Sequence, residues 1–134
     1  MIQERIIQGI KDSIDLKQKM VSDAEMIALT QQLVDLCIDC FGRDGKLLFC
    51  GNGGSAADAQ HLAAEFSGRF YIDRPPLYAE AQDVNTSYLI AVGNDYGNEE
   101  SYARMVKANG RKGEVLFEMY TSGNSTTMLK EGVV

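Results

Sequence analysis

The stretch Lys46–Phe70, KLLFCGNGGSAADAQHLAAEFSGRF, decides the fold of this chain. It opens at Lys46–Cys50 with a short apolar run that is typical of a buried parallel strand. Three glycines follow this run: Gly51, Gly53 and Gly54. They allow a tight turn with uncovered backbone amides, and the residues from Ser55 to Phe66 are strong helix formers. The sequence therefore predicts a strand, a glycine turn and a helix whose N-terminus faces an anion or a polyhydroxylated ligand.

The predicted helix carries three polar side chains on one side. Asp58, His61 and Glu65 are spaced three and four residues apart, and the apolar residues of the helix are Ala59, Leu62, Ala63 and Phe66. An imidazole and a carboxylate one turn apart can bind a metal or exchange protons near neutral pH. On an arbitrary helix such a pair is usually a solvated ion pair. Because this helix follows a glycine turn after a buried strand, where α/β proteins bind ligands, the sequence favours a functional role for His61 and Glu65.

Composition limits the class of protein. The chain has 134 residues, of which 45% are hydrophobic and 24% charged, and this suits one compact domain. A net charge of -6 argues against nucleic acid or an acidic membrane surface as a general partner. No segment approaches the roughly 20 apolar residues of a membrane span, and the N-terminus does not resemble a signal peptide. We therefore expect a cytoplasmic protein.

The three cysteines do not form an obvious disulfide framework. Cys37 and Cys40 lie at helical spacing among apolar residues, and Cys50 ends the apolar run of the first strand. A redox or zinc role for the Cys37-x-x-Cys40 pair is one interpretation. The sequence favours the other, in which all three thiols are small buried hydrophobic side chains.

Two helices precede the first strand. An isoleucine stripe defines the first helix: Ile2, Ile6, Ile7, Ile10 and Ile14. Ser22 and Glu25 have the spacing of a capping box for a second helix, which Gly42 ends. Either the two helices cover the domain's own core, or one apolar stripe is left for a partner chain.

The rest of the chain continues the α/β pattern. The predicted elements are a strand at Leu77–Ala81 after an extended Arg74-Pro75-Pro76 segment, a packed segment at Thr86–Val92, a turn at Gly93–Gly97, a helix at Glu99–Ala108 and a strand at Val115–Met119. Alternation of strands and helices predicts a parallel sheet with helices on both faces.

A second polar loop follows the third strand. Thr121–Thr127, TSGNSTT, offers hydroxyls and amides that suit a phosphate group. Without the neighbouring glycine turn, the composition of this segment would favour an ordinary serine-rich helix cap. Because both loops leave the carboxyl ends of strands that should be neighbours, we expect them to face one crevice.

Three motifs together resemble the sugar isomerase (SIS) domain, and more closely the phosphoheptose isomerases. These motifs are Gly51–His61 with Glu65 and Gly68-Arg69, then Val92–Gly97, then Thr121–Ser125. The resemblance runs from about the N-terminus to Lys130. It implies a three-layer αβα sandwich with a parallel sheet in flavodoxin-like order and an N-terminal helix pair. It also implies one domain over residues 1–134, with helices used for oligomerisation at 1–42 and the sheet and ligand loops at 43–134.

The resemblance implies an activity and an assembly. The family's enzymes are cytoplasmic homotetramers that convert sedoheptulose 7-phosphate to D-glycero-D-manno-heptose 7-phosphate, the first step of ADP-heptose synthesis for the lipopolysaccharide core. By similarity, His61 and Glu65 are catalytic residues and zinc ligands, and Glu65 is the base that moves a proton between C1 and C2. The implied substrate-binding residues are Asn52, Gly53, Gly54, Ser55, Arg69, Asn94, Asp95, Thr121, Ser122 and Ser125. Arg69 equally suits a surface partner of a carboxylate.

The sequence also departs from the family's pattern. In the family, a C-terminal part brings a glutamine and a second histidine to the metal, and this chain stops at Val134. With two protein ligands, we expect zinc binding to be weak or absent. Glu80, Gln82 and Glu118 stand at strand positions that are apolar in the family, and Tyr120 replaces a small hydroxyl residue. Because an unpaired buried carboxylate is costly, we expect either that these side chains reach water or that the layer covering them is missing.

Two alternative functions remain open at this stage. One is a non-catalytic SIS module that binds a sugar phosphate or a protein. The other is a nucleotide-binding α/β domain that shares only the glycine turn. Gly51–Ser55 argues against the second alternative, because it matches neither the dinucleotide fingerprint nor a P-loop.

Overall fold

The computed structural model describes residues 1–122 of the chain. Its elements are α1 (Ile2–Ser22), α2 (Ala24–Gly42), β1 (Leu47–Gly51), α3 (Gly54–Ser67), β2 (Ala79–Ala81), α4 (Thr86–Tyr96), a 3₁₀ turn (Asn98–Glu100), α5 (Ser101–Asn109) and β3 (Val115–Met119). The chain divides into two compact units, Met1–Leu36 and a second unit that begins at Cys37. None of the helices within residues 1–122 is both long enough and apolar enough to cross a membrane.

The described strands form a parallel sheet in the order β2-β1-β3. Leu47 lies opposite Ala79 on one side and opposite Val115 on the other. This order places β1 in the centre, with the strand that follows α3 and the strand that follows α5 on either side. The predicted α/β fold with a parallel sheet and flavodoxin-like order is confirmed.

Helices cover both faces of this sheet. On one face, α3 and the end of α2 enclose an aromatic core, in which the ring of Phe49 stacks on those of Phe66 and Phe117, with ring centroids 5.9 and 4.7 Å away. On the other face, Cys50 and Tyr102 form a second buried cluster with Leu89 and Leu116. The arrangement is the predicted three-layer sandwich, and it fixes α3 directly against β1.

The cysteines behave as the packing interpretation predicts. Cys40 and Cys50 are fully buried, and their thiols donate to the carbonyl oxygens of Lys46 and Phe117. Cys37 is half-buried, and burial raises the pKa of its thiol, with the neighbouring Cys40 adding to the effect. None of the three forms a disulfide bond.

The isoleucine stripe of α1 stays in contact with solvent. No residue of α1 is buried, and the stripe residues are 46 to 80% exposed. The predicted capping box is wrong, because Asp23 accepts from the amide of Met26 and Ser22 donates back to the carbonyl of Gln18.

Two later elements differ from their predicted bounds. The strand β2 covers only Ala79–Ala81, and the predicted turn at Gly93–Gly97 is wrong because α4 continues to Tyr96 and ends at Gly97. Gly93 does not end the helix. A β-carbon on Gly93 would overlap the side-chain oxygen of Asn98, so this glycine permits a close approach instead.

The two strand glutamates are only partly buried, which is one of the two outcomes that the sequence predicts. Glu80 is half-buried and accepts a hydrogen bond from the Tyr78 hydroxyl at 3.1 Å, which raises the pKa of Tyr78. Glu118 is also half-buried. Gln82 is buried, and its side-chain oxygen accepts a hydrogen bond from Asn109 Nδ2 at 3.2 Å.

Candidate active site

A cavity of about 350 Å³ opens at the C-terminal half of α3. Its lining residues are His61, Leu62, Glu65, Phe66, Phe70 and Arg74. His61 Nε2 lies 3.3 Å from Glu65 Oε1, across one turn of the helix. The imidazole is 73% exposed, whereas the carboxylate is only 31% exposed. The predicted pairing of these two residues on one side of the helix is confirmed, and the pair faces a space large enough for a small ligand.

Arg74 is the cation of this cavity, and no sequence motif predicts a role for it. Its guanidinium donates to the backbone carbonyls of Glu65 and Phe66 at 3.0 and 2.8 Å. Arg69, which the sequence analysis proposed as a substrate contact, is exposed and does not line the cavity. The only sequence signal for Arg74 was the extended Arg-Pro-Pro segment after the helix, since proline favours such a conformation before it.

A second contact holds α3 in its first half. Gln60, which precedes His61, donates to Asp83 Oδ2 at 2.6 Å in the segment that follows β2. Asp83 is buried, and its Oδ1 has no hydrogen-bond partner among the described residues. The helix that carries His61 is therefore tied at Gln60 to the carboxyl end of β2 and at Glu65 and Phe66 to Arg74.

The glycine turn has the tight geometry that its sequence predicts. A β-carbon on Gly51 would lie 2.6 Å from the Ser55 carbonyl, and Gly53 has a φ of +57°. The helix begins at Gly54, one residue before Ser55, the predicted start. Some of the expected uncovered amides are used inside the turn, because the amide of Ser55 donates to Asn52 and the amide of Ala56 to Gly53. Among the described residues, the amides of Gly53 and Gly54 make no hydrogen bond.

The two predicted ligand loops leave the sheet side by side. Gly51 at the end of β1 pairs with Met119 at the end of β3, and Thr121 and Ser122 follow as exposed residues. This pairing places the ends of β1 and β3 next to each other. The expectation that both loops leave neighbouring strands at their carboxyl ends is therefore confirmed. Among residues 1–122, no part of either loop lines the cavity of His61 and Glu65. Ser125, the third predicted phosphate contact, lies outside the described residues.

Asn94 and Asp95 lie in the last turn of α4. Both are exposed, and Asn94 Nδ2 donates to Asp95 Oδ1 at 3.1 Å. No hydrogen bond or ion pair within residues 1–122 joins them to His61 or Glu65.

The start of α5, a few residues further on, is held at the carboxyl end of β1 because the Tyr102 hydroxyl donates to the carbonyl of Gly51.

The described residues do not make a complete metal site. Within residues 1–122, no group of three or more His, Cys, Asp or Glu side chains is placed to hold a metal ion. The pair His61 and Glu65 supplies two donors, whereas catalytic zinc sites usually have three protein ligands. What the pair offers by itself is proton transfer between an imidazole, a carboxylate and a bound substrate.

The fold agrees with a family match. Residues 11–131 match the model of the SIS domain. The chain therefore belongs to the SIS domain family.

Its relatives narrow the class further. The chain is 45% identical over 121 residues to a phosphoheptose isomerase from Aneurinibacillus thermoaerophilus, covering 90% of this chain and 61% of that protein. It is also 45% identical over 129 residues to one from Neisseria gonorrhoeae, covering 96% of this chain and 64% of that protein. The chain thus spans less than two thirds of the length of these relatives.

Solved structures give the same result in three dimensions. A phosphoheptose isomerase structure from Neisseria gonorrhoeae matches with a TM-score of 0.88 at 42% identity, covering 98% of this chain and 67% of that one. A phosphoheptose isomerase from Francisella tularensis matches with a TM-score of 0.89 at 32% identity, covering 98% and 68%. The similarity to phosphoheptose isomerases, which the three motifs indicated, thus extends along nearly the whole chain.

Proposed function

We propose that this chain is a phosphosugar aldose-ketose isomerase that converts sedoheptulose 7-phosphate to D-glycero-D-manno-heptose 7-phosphate. The observation that carries the proposal is the pairing of His61 with Glu65 in one cavity, on the helix that follows the glycine turn. The similarity to phosphoheptose isomerases along most of the chain supports the same substrate class.

The reaction requires a base at the carbon that carries the proton and an acid at the neighbouring oxygens. Glu65 is the proposed base, because its carboxylate is the less exposed member of the pair. His61 is the proposed acid, since an imidazole can both donate and accept protons near neutral pH. Leu62, Phe66 and Phe70 give the cavity an apolar lining beside the pair.

Substrate binding is assigned to the two loops and to α4. The proposed phosphate contacts are the amides of Gly53 and Gly54 and the hydroxyls of Ser55, Thr121, Ser122 and Ser125. The proposed sugar contacts are Asn52, Arg69, Asn94 and Asp95. A second copy of the chain is the proposed source of further lining, in line with the homotetramer that the family resemblance implies.

Zinc, assembly and location are further parts of the proposal. His61 and Glu65 would hold zinc weakly, and no step of the proposed proton transfer depends on it. The exposed isoleucine stripe of α1 supports the homotetramer that the family resemblance implies. A cytoplasmic location and a role in heptose synthesis for lipopolysaccharide rest on the resemblance alone.

The experiment is to incubate the purified chain with sedoheptulose 7-phosphate, with and without added zinc, and to follow aldose formation by NMR. Glu65→Gln and His61→Ala should each reduce turnover by about 100-fold or more, because each removes a group that transfers a proton. Asp58→Asn is the matched control on the same helix, outside the cavity, and should keep wild-type turnover. Equal turnover in wild type and Glu65→Gln would contradict the assignment.

A second candidate is a non-catalytic module that binds a sugar phosphate. The observation that favours it is the small number of metal donors within residues 1–122. In that case sedoheptulose 7-phosphate would raise the melting temperature without turnover. A response to nucleotides alone would contradict both candidates.

A further inference from the structure

Arg74 closes the C-terminal end of α3. The last carbonyls of a helix have no partner inside the helix and carry the negative end of its dipole, so a cation bound there is stabilising. The guanidinium Nη1 of Arg74 donates to Phe66 O at 2.8 Å and to Pro75 O at 3.3 Å, and Nη2 donates to Glu65 O at 3.0 Å. One side chain therefore holds two consecutive carbonyls of the last helical turn.

The segment that carries Arg74 is itself fixed at both ends. Pro75 and Pro76 restrict the backbone directly after Arg74 to an extended path. The amide of Leu77 then donates to Phe66 O, and the amide of Leu47 in β1 donates to Tyr78 O. The segment thus connects the helix end to the central strand, so the guanidinium is attached to the rigid part of the fold.

Glu65 is the residue whose position depends most on this arrangement. Its backbone carbonyl accepts from Arg74, and its carboxylate lies 3.3 Å from His61 Nε2 in the cavity that Arg74 also lines. Without the guanidinium, the last turn would lose the side-chain donor to Glu65 O and one of the two donors to Phe66 O. The carboxylate would then be free to move away from the imidazole.

We propose that Arg74 is a positioning residue that holds the Glu65 carboxylate against His61 by anchoring the last turn of α3. The role in catalysis rests on the proposed isomerase function, whereas the effect on the pair itself does not. A lysine cannot reproduce the role, because only the planar fork of a guanidinium reaches two adjacent carbonyls from two nitrogens.

Arg69 provides a matched control. It carries the same charge five residues earlier and is exposed. It makes no hydrogen bond among the described residues and does not line the cavity. Removing Arg69 therefore changes the net charge by the same amount without touching the helix end.

The test uses the fact that His61 is the only histidine of the chain. Its two ring nitrogens give one pair of ¹⁵N signals, which report the hydrogen bonding and tautomer of the imidazole without any assignment. Spectra of the ligand-free protein are recorded for all variants at one fixed pH. The His61 signals of Glu65→Gln show where the signals lie when the imidazole has no carboxylate partner.

The expected result is that Arg74→Ala moves the His61 signals from the wild-type values toward those of Glu65→Gln. Arg74→Lys should move them part of the way, and Arg69→Ala should leave them unchanged. Millimolar methylguanidinium should restore the wild-type signals in Arg74→Ala, a rescue that a general loss of stability would not show. If Arg74→Ala does not fold, Arg74→Lys alone decides the outcome.

The proposal is overturned if Glu65→Gln displaces the His61 signals and neither Arg74 variant does. It is also overturned if Glu65→Gln leaves the signals at the wild-type values, since the pair would then not exist in solution. In an affinity measurement, Arg74→Ala should bind sedoheptulose 7-phosphate about tenfold more weakly, as supporting partners of a site typically do. A wild-type protein that binds no sugar phosphate would contradict the isomerase function, and the ligand-free spectra would still decide the role of Arg74.

Discussion

Glu118 is the fourth of the five residues of β3 and lies next to the apolar cluster of Cys50 and Leu116. It is opposite Cys50 in the register of the sheet, and burial raises the pKa of its carboxyl group. A raised pKa in the folded state means that folding favours the protonated form. The associated stability is therefore present at acid pH and is lost as the pH rises through the folded-state pKa.

Glu118→Gln should consequently stabilise the protein at neutral pH. The expected gain is below about 1 kcal/mol, because the side chain is partly in water and screening reduces the effect of burial. The gain should disappear below about pH 4, where a glutamate is protonated in both states. Urea unfolding at several pH values measures it. Glu80→Gln is the control, since Glu80 accepts from Tyr78, and an equal gain there would contradict the burial argument.

Zinc binding is predicted to be weak. Only His61 and Glu65 are placed to bind a metal within residues 1–122, and each missing ligand lowers affinity steeply. Metal analysis of the purified protein should find well below one zinc per chain. Tightly held, stoichiometric zinc would contradict this prediction and would require ligands beyond the described pair.

At the scale of the elements, the glycine turn between β1 and α3 decides where the helix starts. Gly51 leaves no room for a side chain, because a β-carbon would lie 2.6 Å from the carbonyl of Ser55. At Gly54 a β-carbon would meet nothing within 4 Å. These two glycines therefore have different roles, although they stand three residues apart in the same motif.

Alanine substitutions should separate the two roles. Gly51→Ala should destabilise the protein by about 2 kcal/mol, since the helix start must shift to relieve the overlap. Gly54→Ala should be neutral or stabilising by up to about 1 kcal/mol, because it reduces the freedom of the unfolded chain. Denaturant unfolding of both variants is the measurement. Equal effects of the two substitutions would show that the turn is looser than the structure has it.

The strand, the glycine turn and the helix could be predicted from sequence because each has a strong local signal. The apolar run before Gly51 and the helix formers after it agree with one another, and Val115–Met119 was predicted with its observed bounds. The turn at Gly93–Gly97 was predicted wrongly because glycine usually ends a helix. In the structure Gly93 accommodates the side chain of Asn98, a contact that no local pattern reveals.

The contacts of Arg74 also could not be predicted from the local sequence pattern. Its partners Glu65 and Phe66 lie nine and eight residues earlier, and the contact depends on the path of the segment between them. Arg69 was the more obvious candidate, since it stands next to Gly68 in the family motif. Among the described residues, Arg74 lines the cavity and Arg69 does not.

At the scale of the whole molecule, the exposed stripe of α1 predicts self-association. Five isoleucines on one helix face are about half exposed or more, and such a surface usually marks an interface. Ile10→Lys should reduce the mass of the assembly, measured by light scattering at micromolar concentration. Gln8→Lys introduces the same residue outside the stripe and should leave the mass unchanged. A wild-type protein that is monomeric at these concentrations would contradict the predicted homotetramer.

The most direct measurement of the central claim follows the ¹⁵N signals of His61 during addition of sedoheptulose 7-phosphate. A cavity that binds the sugar beside this imidazole predicts a saturable displacement at millimolar ligand. Inorganic phosphate and a nucleoside monophosphate should produce a smaller displacement or none. Signals that stay at their ligand-free values up to saturating sugar phosphate would contradict the assignment of this cavity as the active site.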